Sequence, residues 1–349
     1  TRDVLWLFLS NGVTTVRGML GHPGQLELRA RVNAGEVPGP TLYLAGPPFT
    51  GGSVDGPDDA ERMVREQAEA GWDYLKVLER MNLEEYRAMA TAAREEGIPF
   101  IGHVPNDVGL EPVLESGQET IDHLDGYISY LNGGERAVPQ EELRNVVRRT
   151  REAGIAVVPT MALWEVLMGA TPTDVLNRYS ELRFMPPGMV ENWIDTQRRR
   201  RASDGFDPER ADRIIENRTR LLRTFYEQEA SILFGTDAPQ QFSVPGFSIH
   251  REIPHMEEAG MSPYAILASA TSAPGRYFAG KDEFGTVEAG QRADLVLLDA
   301  NPLDDLANLQ DPVGVMSRGR WYTRSTLQAE LDRIAERHGQ GEGGDWGQF

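Results

Sequence analysis

The sequence has no cysteine in its 349 residues, which excludes disulfides, thiolate zinc sites and cysteine nucleophiles. The compartment stays open, because exported and cytoplasmic proteins both manage without the residue. No apolar run approaches the ~20 residues that cross a bilayer. Basic residues are scarce: 35 Lys and Arg stand against 54 Asp and Glu, a formal net charge of −19. That balance repels phosphate backbones and anionic membranes, so neither nucleic acid nor membrane is expected as a partner. The longest basic run, Arg198 to Arg201, has acidic residues nearby and reads as a solvated helix face. No G-x-G-x-x-G or G-x-x-x-x-G-K-[ST] phosphate loop follows any apolar run. Histidine is also rare. The six are His22, His103, His123, His250, His255 and His338, and no two lie two residues apart.

What is present is a soluble, globular profile, 40% hydrophobic and 26% charged. Short apolar runs alternate with amphipathic helical stretches. The runs are Val13–Val16, Leu42–Ala45, Tyr74–Leu78, Phe100–His103, Thr120–His123, Ala156–Pro159 and Ile232–Gly235. Between them, Asp58–Ala70, Leu83–Glu96 and Pro139–Ala153 carry helical spacing, and Gly97 and Gly154 stand where C-caps belong. Repeated βα units predict a parallel sheet covered by helices. A doubly wound sheet gives the same alternation. The missing phosphate loop, and polar residues at the C-terminal ends of several runs, favour a TIM-type (β/α)8 barrel instead.

The expected organisation is a barrel over residues 1–280 with a helical insertion at about 172–229, acting either as a lid or as a peripheral decoration. A small β domain follows over 281–325, a β-sandwich remnant with a turn at Arg318-Gly319. Residues 326–349 read as a last helix and a flexible Gly-rich tail. The opening Val4–Leu9 reads as a helix facing a core, and less well as a signal peptide, since it lacks a basic flank and a cleavage site.

Four polar residues end or follow apolar runs: Lys76, His103, His123 and Asp237. Each has a plain explanation alone. Lys76 could pair with Glu79, either histidine could be a hydrogen-bonded core residue, and Asp237 could cap a helix. In a barrel, however, separate strand ends converge on one mouth. Imidazoles and carboxylates there suit zinc or a similar divalent metal. A lysine buried among apolar neighbours is disfavoured as an ammonium, and its neutral amine can take up CO2 as a carbamate. Tyr127, Trp164 and His250, just beyond run ends, are candidate substrate-contacting residues, with core packing as the alternative for the two aromatics.

The order and spacing of Lys76, His103, His123 and Asp237 resemble the amidohydrolase superfamily, in its imidazolonepropionase-like and Xaa-Pro dipeptidase-like branch. Asn11-Gly-Val-Thr-Thr-Val-Arg17, Pro38–Gly46, His250–Ile253, Gly285–Gly290 and Ala293–Pro302 carry the same likeness. The resemblance implies a metal-dependent hydrolase of amide-type C–N bonds, acting on a small-molecule substrate such as an N-acyl amino acid, an Xaa-Pro dipeptide or a cyclic amide. It implies attack by a metal-bound hydroxide, with Lys76 carboxylated and bridging, His103 and His123 as ligands, and Asp237 as ligand, general base and general acid. It also implies a first strand bearing His-x-His. Without that pair the chain reads as a barrel lacking its first strand, expected to hold at most one tight zinc ion instead of two and to show little activity. Alternatives are a catalytically inactive barrel with a binding or scaffold role, a deaminase, or a lactone or phosphotriester hydrolase of the same superfamily. Homo-oligomerisation remains open.

Overall fold

The computed structural model describes residues 2–340. The part of the predicted flexible tail beyond Gln340 lies outside them. Six parallel strands follow one another in chain order. Strand β1 (Thr15–Gly18) pairs with β2 (Thr41–Leu44), with Thr15 opposite Thr41. A second sheet runs β3 (Leu75–Val77), β4 (Phe100–Gly102), β5 (Thr120–Asp122) and β6 (Ala156–Val158). Parallel bridges Ala45–Tyr74 and Phe49–Val77 join the two sheets, and the bridge Val157–Ile232 extends the series by one segment. The architecture is therefore α/β with parallel strand order, as the alternation predicts.

Two details differ from the sequence reading. The first strand lies two residues later than Val13–Val16. The seventh run makes only a bridge: Val157 pairs on both sides of Ile232, but Phe234 N–H then bonds to Ser269 O instead of to a strand. The chain turns at once through Gly235 to Asp237, whose φ of 57° is left-handed.

Helices return the chain between strands, and their ends are written in the sequence. Leu83–Glu96 begins at Asn82, whose side chain accepts from Glu84 and Glu85 N–H while Glu85 bonds back to the Asn82 amide, and it ends at left-handed Gly97. Its Tyr86, Met89, Ala90 and Ala93 are buried. Arg2–Ser10 is buried on nearly every side, with Val4, Leu5, Leu7 and Leu9 fully covered. That is why its sequence shows no polar face. Its one buried acid, Asp3, is held by Arg333 and Arg337 of the last helix, Arg324–Gly339.

The C-terminal β unit is one antiparallel sheet: β7 (Leu295–Leu297), β8 (Gly314–Ser317) and β9 (Arg320–Thr323). Arg318 and Gly319, both at positive φ, make the tight turn between β8 and β9. The expected sandwich remnant is a single layer among the described residues. All three β7 residues are exposed, with no second sheet against them. No helix of the described residues is long and apolar enough to cross a membrane.

Gly102 ends β4 at φ 131°, and a Cβ there would lie 2.3 Å from Val77 O on the neighbouring strand. This close approach sets the spacing between Lys76 and His103. Gly102→Ala should cost about 2 kcal/mol or more, from backbone strain and the clash with Val77. Gly71→Ala, at φ 81° with nothing within 4 Å of the new methyl, should cost about 1 kcal/mol. Urea unfolding of the two variants checks this. Equal losses would mean that close packing is not what requires glycine at 102.

Candidate active site

Two histidines from adjacent strands meet at the carboxyl ends of the sheet. His103 follows β4 directly, and His123 follows β5. Their rings lie edge to face with centroids 4.8 Å apart. Asp237, after the Ile232 bridge, places Oδ2 3.8 Å from His123 Nε2. Three residues from three segments thus share one location.

The backbone there is unusual. His123, Leu124, Thr160 and Asp237 all have positive φ, between 48° and 62°. Non-glycine residues rarely adopt this conformation, and it costs about 1–3 kcal/mol each time. The turns carry His123 and Asp237 off the strand direction and into the mouth. Flanking bonds hold His123 in place: its N–H donates to Val158 O at 2.6 Å, and Arg218 Nη2 donates to its carbonyl.

Each imidazole has one nitrogen already engaged. Nδ1 of His103 lies 2.7 Å from Asp125 Oδ2 and 3.3 Å from Glu79 Oε1. Nδ1 of His123 lies 2.9 Å from Thr160 Oγ1. Electrostatics separates the two rings. Burial alone would push His103 down, but Asp125 and Glu79 outweigh it and lift its pKa to about 9. Burial lowers His123 below the usual histidine value, opposed only in part by Asp237 and Asp125. One ring is therefore cationic and the other neutral at pH 7. Glu79, His103 and Asp125 each offer a donor atom within 4.8 Å of the others, a set able to hold a cation.

Lys76 has ionic, not apolar, surroundings. Its Nζ donates to Asp122 Oδ2 at 2.8 Å, with both side chains almost fully buried. Arg17 Nη2 lies 3.6 Å from the same carboxylate. Burial would raise the Asp122 carboxyl, yet Lys76 and Arg17 hold it well below the ordinary range. The apolar surroundings expected of Lys76 give way to this buried pair with Asp122, and Glu79, suggested as its partner, faces His103 instead.

Each of the three candidate substrate residues has a partner within the protein. Tyr127 is fully buried; its ring packs edge-on against Phe225 and its hydroxyl bonds to Thr150. It is a core residue, placed so by the outer helices. Trp164 covers the guanidinium of Arg218, with Cζ 4.0 Å from the ring centroid. His250 turns Nε2 to Asn11 Oδ1 at 3.1 Å, and burial drops its pKa to about 4. Residues that sequence reasoning passed over include Asp122, Asp125, Thr160 and Arg218. The acids flanking His123 in Asp-His-Leu-Asp were the visible signal. Nothing in the sequence marks Arg218 among so many arginines.

The comparisons with known proteins settle the family. The profile described as Amidohydrolase family matches residues 7–322. This chain belongs to that family. A solved bottromycin amidohydrolase is 26% identical and superposes with a TM-score of 0.80, over 97% of this chain and 77% of that one. A solved Xaa-Pro dipeptidase, 22% identical over 92% and 78% of the two chains with a TM-score of 0.65, shares the fold. Among curated relatives, the ochratoxinase of Aspergillus niger is 21% identical over 360 aligned residues, 89% of this chain. The chain spans 65% of that relative's length. The amidohydrolase family is generally metal-dependent, and the histidine–carboxylate cluster described above is of the kind such a metal needs.

In this amidohydrolase the two imidazoles should titrate far apart. In metal-free protein, NMR should show His103 titrating near 9 and His123 below the ordinary histidine value of about 6.5. Asp125→Asn removes the nearest carboxylate and should lower His103 by about one unit or more. Two histidines titrating together near the ordinary value, in both proteins, would contradict this electrostatic account.

Proposed function

We propose that the protein is a metal-dependent hydrolase of amide-type C–N bonds, with His103, His123 and Asp237 as the core of its site. One observation carries the reading: both imidazoles have Nδ1 engaged by hydrogen-bond partners, while His123 Nε2 faces the Asp237 carboxylate at 3.8 Å. Metal-ligating histidines characteristically have their second nitrogen tied in this way, which fixes tautomer and ring orientation. Glu79 and Asp125 add negative charge on the other side of His103. The donor set of nitrogen and carboxylate oxygen suits zinc.

When bound, a divalent cation would polarise a carbonyl and make a water molecule acidic near neutral pH. The remaining work falls to side chains. Asp237, half-exposed at the mouth, takes a proton from the attacking water and returns it to the leaving nitrogen. Thr160 holds His123 and Asp125 holds His103. Lys76 and Arg17 share Asp122 beneath the mouth. Carboxylation of Lys76 would cost it that partner, with Arg17 left to face Asp122, and an intact-mass increase of one CO2 tests for it. We read the parallel segments as the wall of a TIM-type barrel. Arg17 on β1 reaching Asp122 on β5 supports this, because the two strands are far apart in sheet order yet their side chains meet.

The substrate class follows the relatives whose names state amide, dipeptide or amidohydrolase chemistry. N-acyl amino acids and Xaa-Pro dipeptides are therefore the first compounds to assay. Whatever hydrolysis the chain shows without a His-x-His pair should be lost on chelation and restored by zinc. Asp237→Asn should lower kcat by roughly 10²–10⁴-fold, with smaller effects on metal affinity than His123→Ala. Binding must also displace the His103 proton. Zinc affinity should rise about tenfold per pH unit from pH 7 toward 9 and then level off, because one proton is released below the folded pKa of His103 and none above it. Hydrolysis that survives chelation, or zinc affinity flat across this range, would sink the reading.

A further inference from the structure

Arg218 is 2% exposed, and among the described residues it forms no ion pair. It lies midway along the helix Pro208–Glu227, within the stretch whose sequence left open a lid or a peripheral insertion. A buried guanidinium without a carboxylate partner is costly, and the fold keeps it for some return. Burial lowers its pKa to about 9, against the fields of Asp125 and Glu252. Its contacts are specific: Nη2 donates to the His123 carbonyl, and the guanidinium stacks on Trp164 at 4.0 Å. Nε has no partner.

Trp164 belongs to the short helix Met161–Met168. Two amides of its first turn, Met161 and Ala162, donate to the buried Glu252 carboxylate at 2.8 and 2.9 Å. Immediately before that helix stands Thr160, whose Oγ1 engages His123 Nδ1. One unit therefore grips His123 at both ends. Thr160 holds the ring, and Arg218, clamped under Trp164, holds the carbonyl. Between these grips the His123 backbone sits at φ 62°, where a non-glycine residue stays only if its surroundings enforce it.

We propose that Arg218 is a positioning residue for His123, which it reaches from the outer helical layer, with Trp164 fixing the guanidinium. The contribution rests on the histidine-centred site described above, but it concerns the geometry of His123 and not the chemistry performed there. The charge and fork of Arg218 lock the left-handed turn, so that the ring presents Nε2 toward Asp237.

The test uses the full chain with 15N-labelled histidine. Arg218→Lys keeps the charge but loses the planar fork. Trp164→Leu removes the stack and leaves Arg218 in place. Asn217→Ala is the control: Asn217 neighbours Arg218 in the chain, but its own side chain bonds to Gly133, Arg136, Val138 and Arg220, away from the site. In metal-free protein, Arg218→Lys and Trp164→Leu should broaden the His123 ring signals or shift its tautomer. Cobalt titrated into each should bind about tenfold more weakly than to the unmodified chain, the usual scale for outer-shell losses. Asn217→Ala should change neither, even where its Tm falls as far. The proposal is overturned if both site variants match the unmodified protein in ring signals and cobalt affinity, or if Asn217→Ala at equal Tm loss reproduces their effects. If the unmodified chain takes up no cobalt, the hydrolase reading fails, and the ring signals alone decide the role of Arg218. If Arg218→Lys does not fold, Trp164→Leu gives the same comparison.

Discussion

Asp122 faces two cations, Lys76 buried and Arg17 half-buried. Lys76 from β3 bonds to it at 2.8 Å, and Arg17 from β1 approaches within 3.6 Å. Three charges from three strands, withdrawn from water together, are stable only as a set, because removing any one strands the others without compensation. Thr120 Oγ1 adds a bond to Asp122 at 3.0 Å. This web fixes β1, β3 and β5 relative to one another. Since Asp122 immediately precedes His123, it also sets where the His123 turn begins. The layer beneath the mouth carries a surplus of positive charge, while Glu79, Asp125 and Asp237 make the mouth negative.

That division explains the site's electrostatics. His103 lies among carboxylates and holds a proton well above neutral pH. His123 does not, because burial outweighs the pull of Asp237 and Asp125 on its ring. A divalent cation satisfies the same negative field that otherwise protonates His103, so the proton and the metal compete for one ring. The left-handed turns at His123, Thr160 and Asp237 cost energy, and the surrounding hydrogen bonds offset it. Four of the ten non-glycine residues at positive φ among the described residues stand at this mouth, and strain held at such a place fits a preorganised site.

Much of this was legible in the sequence. The βα alternation shows the strand order, and Asn82, Gly97 and Gly154 mark helix ends, because capping chemistry is local. The family was readable from the order of Lys76, His103, His123 and Asp237. What failed to show was anything set by distant partners. Lys76 looks apolar in its local run, and only the fold brings Asp122, 46 positions away, against it. Tyr127 follows a histidine turn in sequence, yet the helix beginning there carries it into the core against Phe225. Arg218 is one arginine in a helix with several others, and its burial becomes visible only when that helix packs against the helices Gln140–Glu152 and Met161–Met168. The Ile232 run has strand composition but lacks a neighbour on its second side, so it closes only a single bridge.

The account's central claim is that His103 and His123 turn their Nε2 atoms to a shared cation, with Nδ1 of each reserved for Asp125 and Thr160. Anomalous diffraction at the zinc absorption edge, from crystals grown with zinc, locates such an ion without recourse to activity. The account predicts a peak bonded to Nε2 of both rings, with the Asp237 carboxylate alongside. A peak bonded to neither ring, or no peak at this mouth, would contradict it.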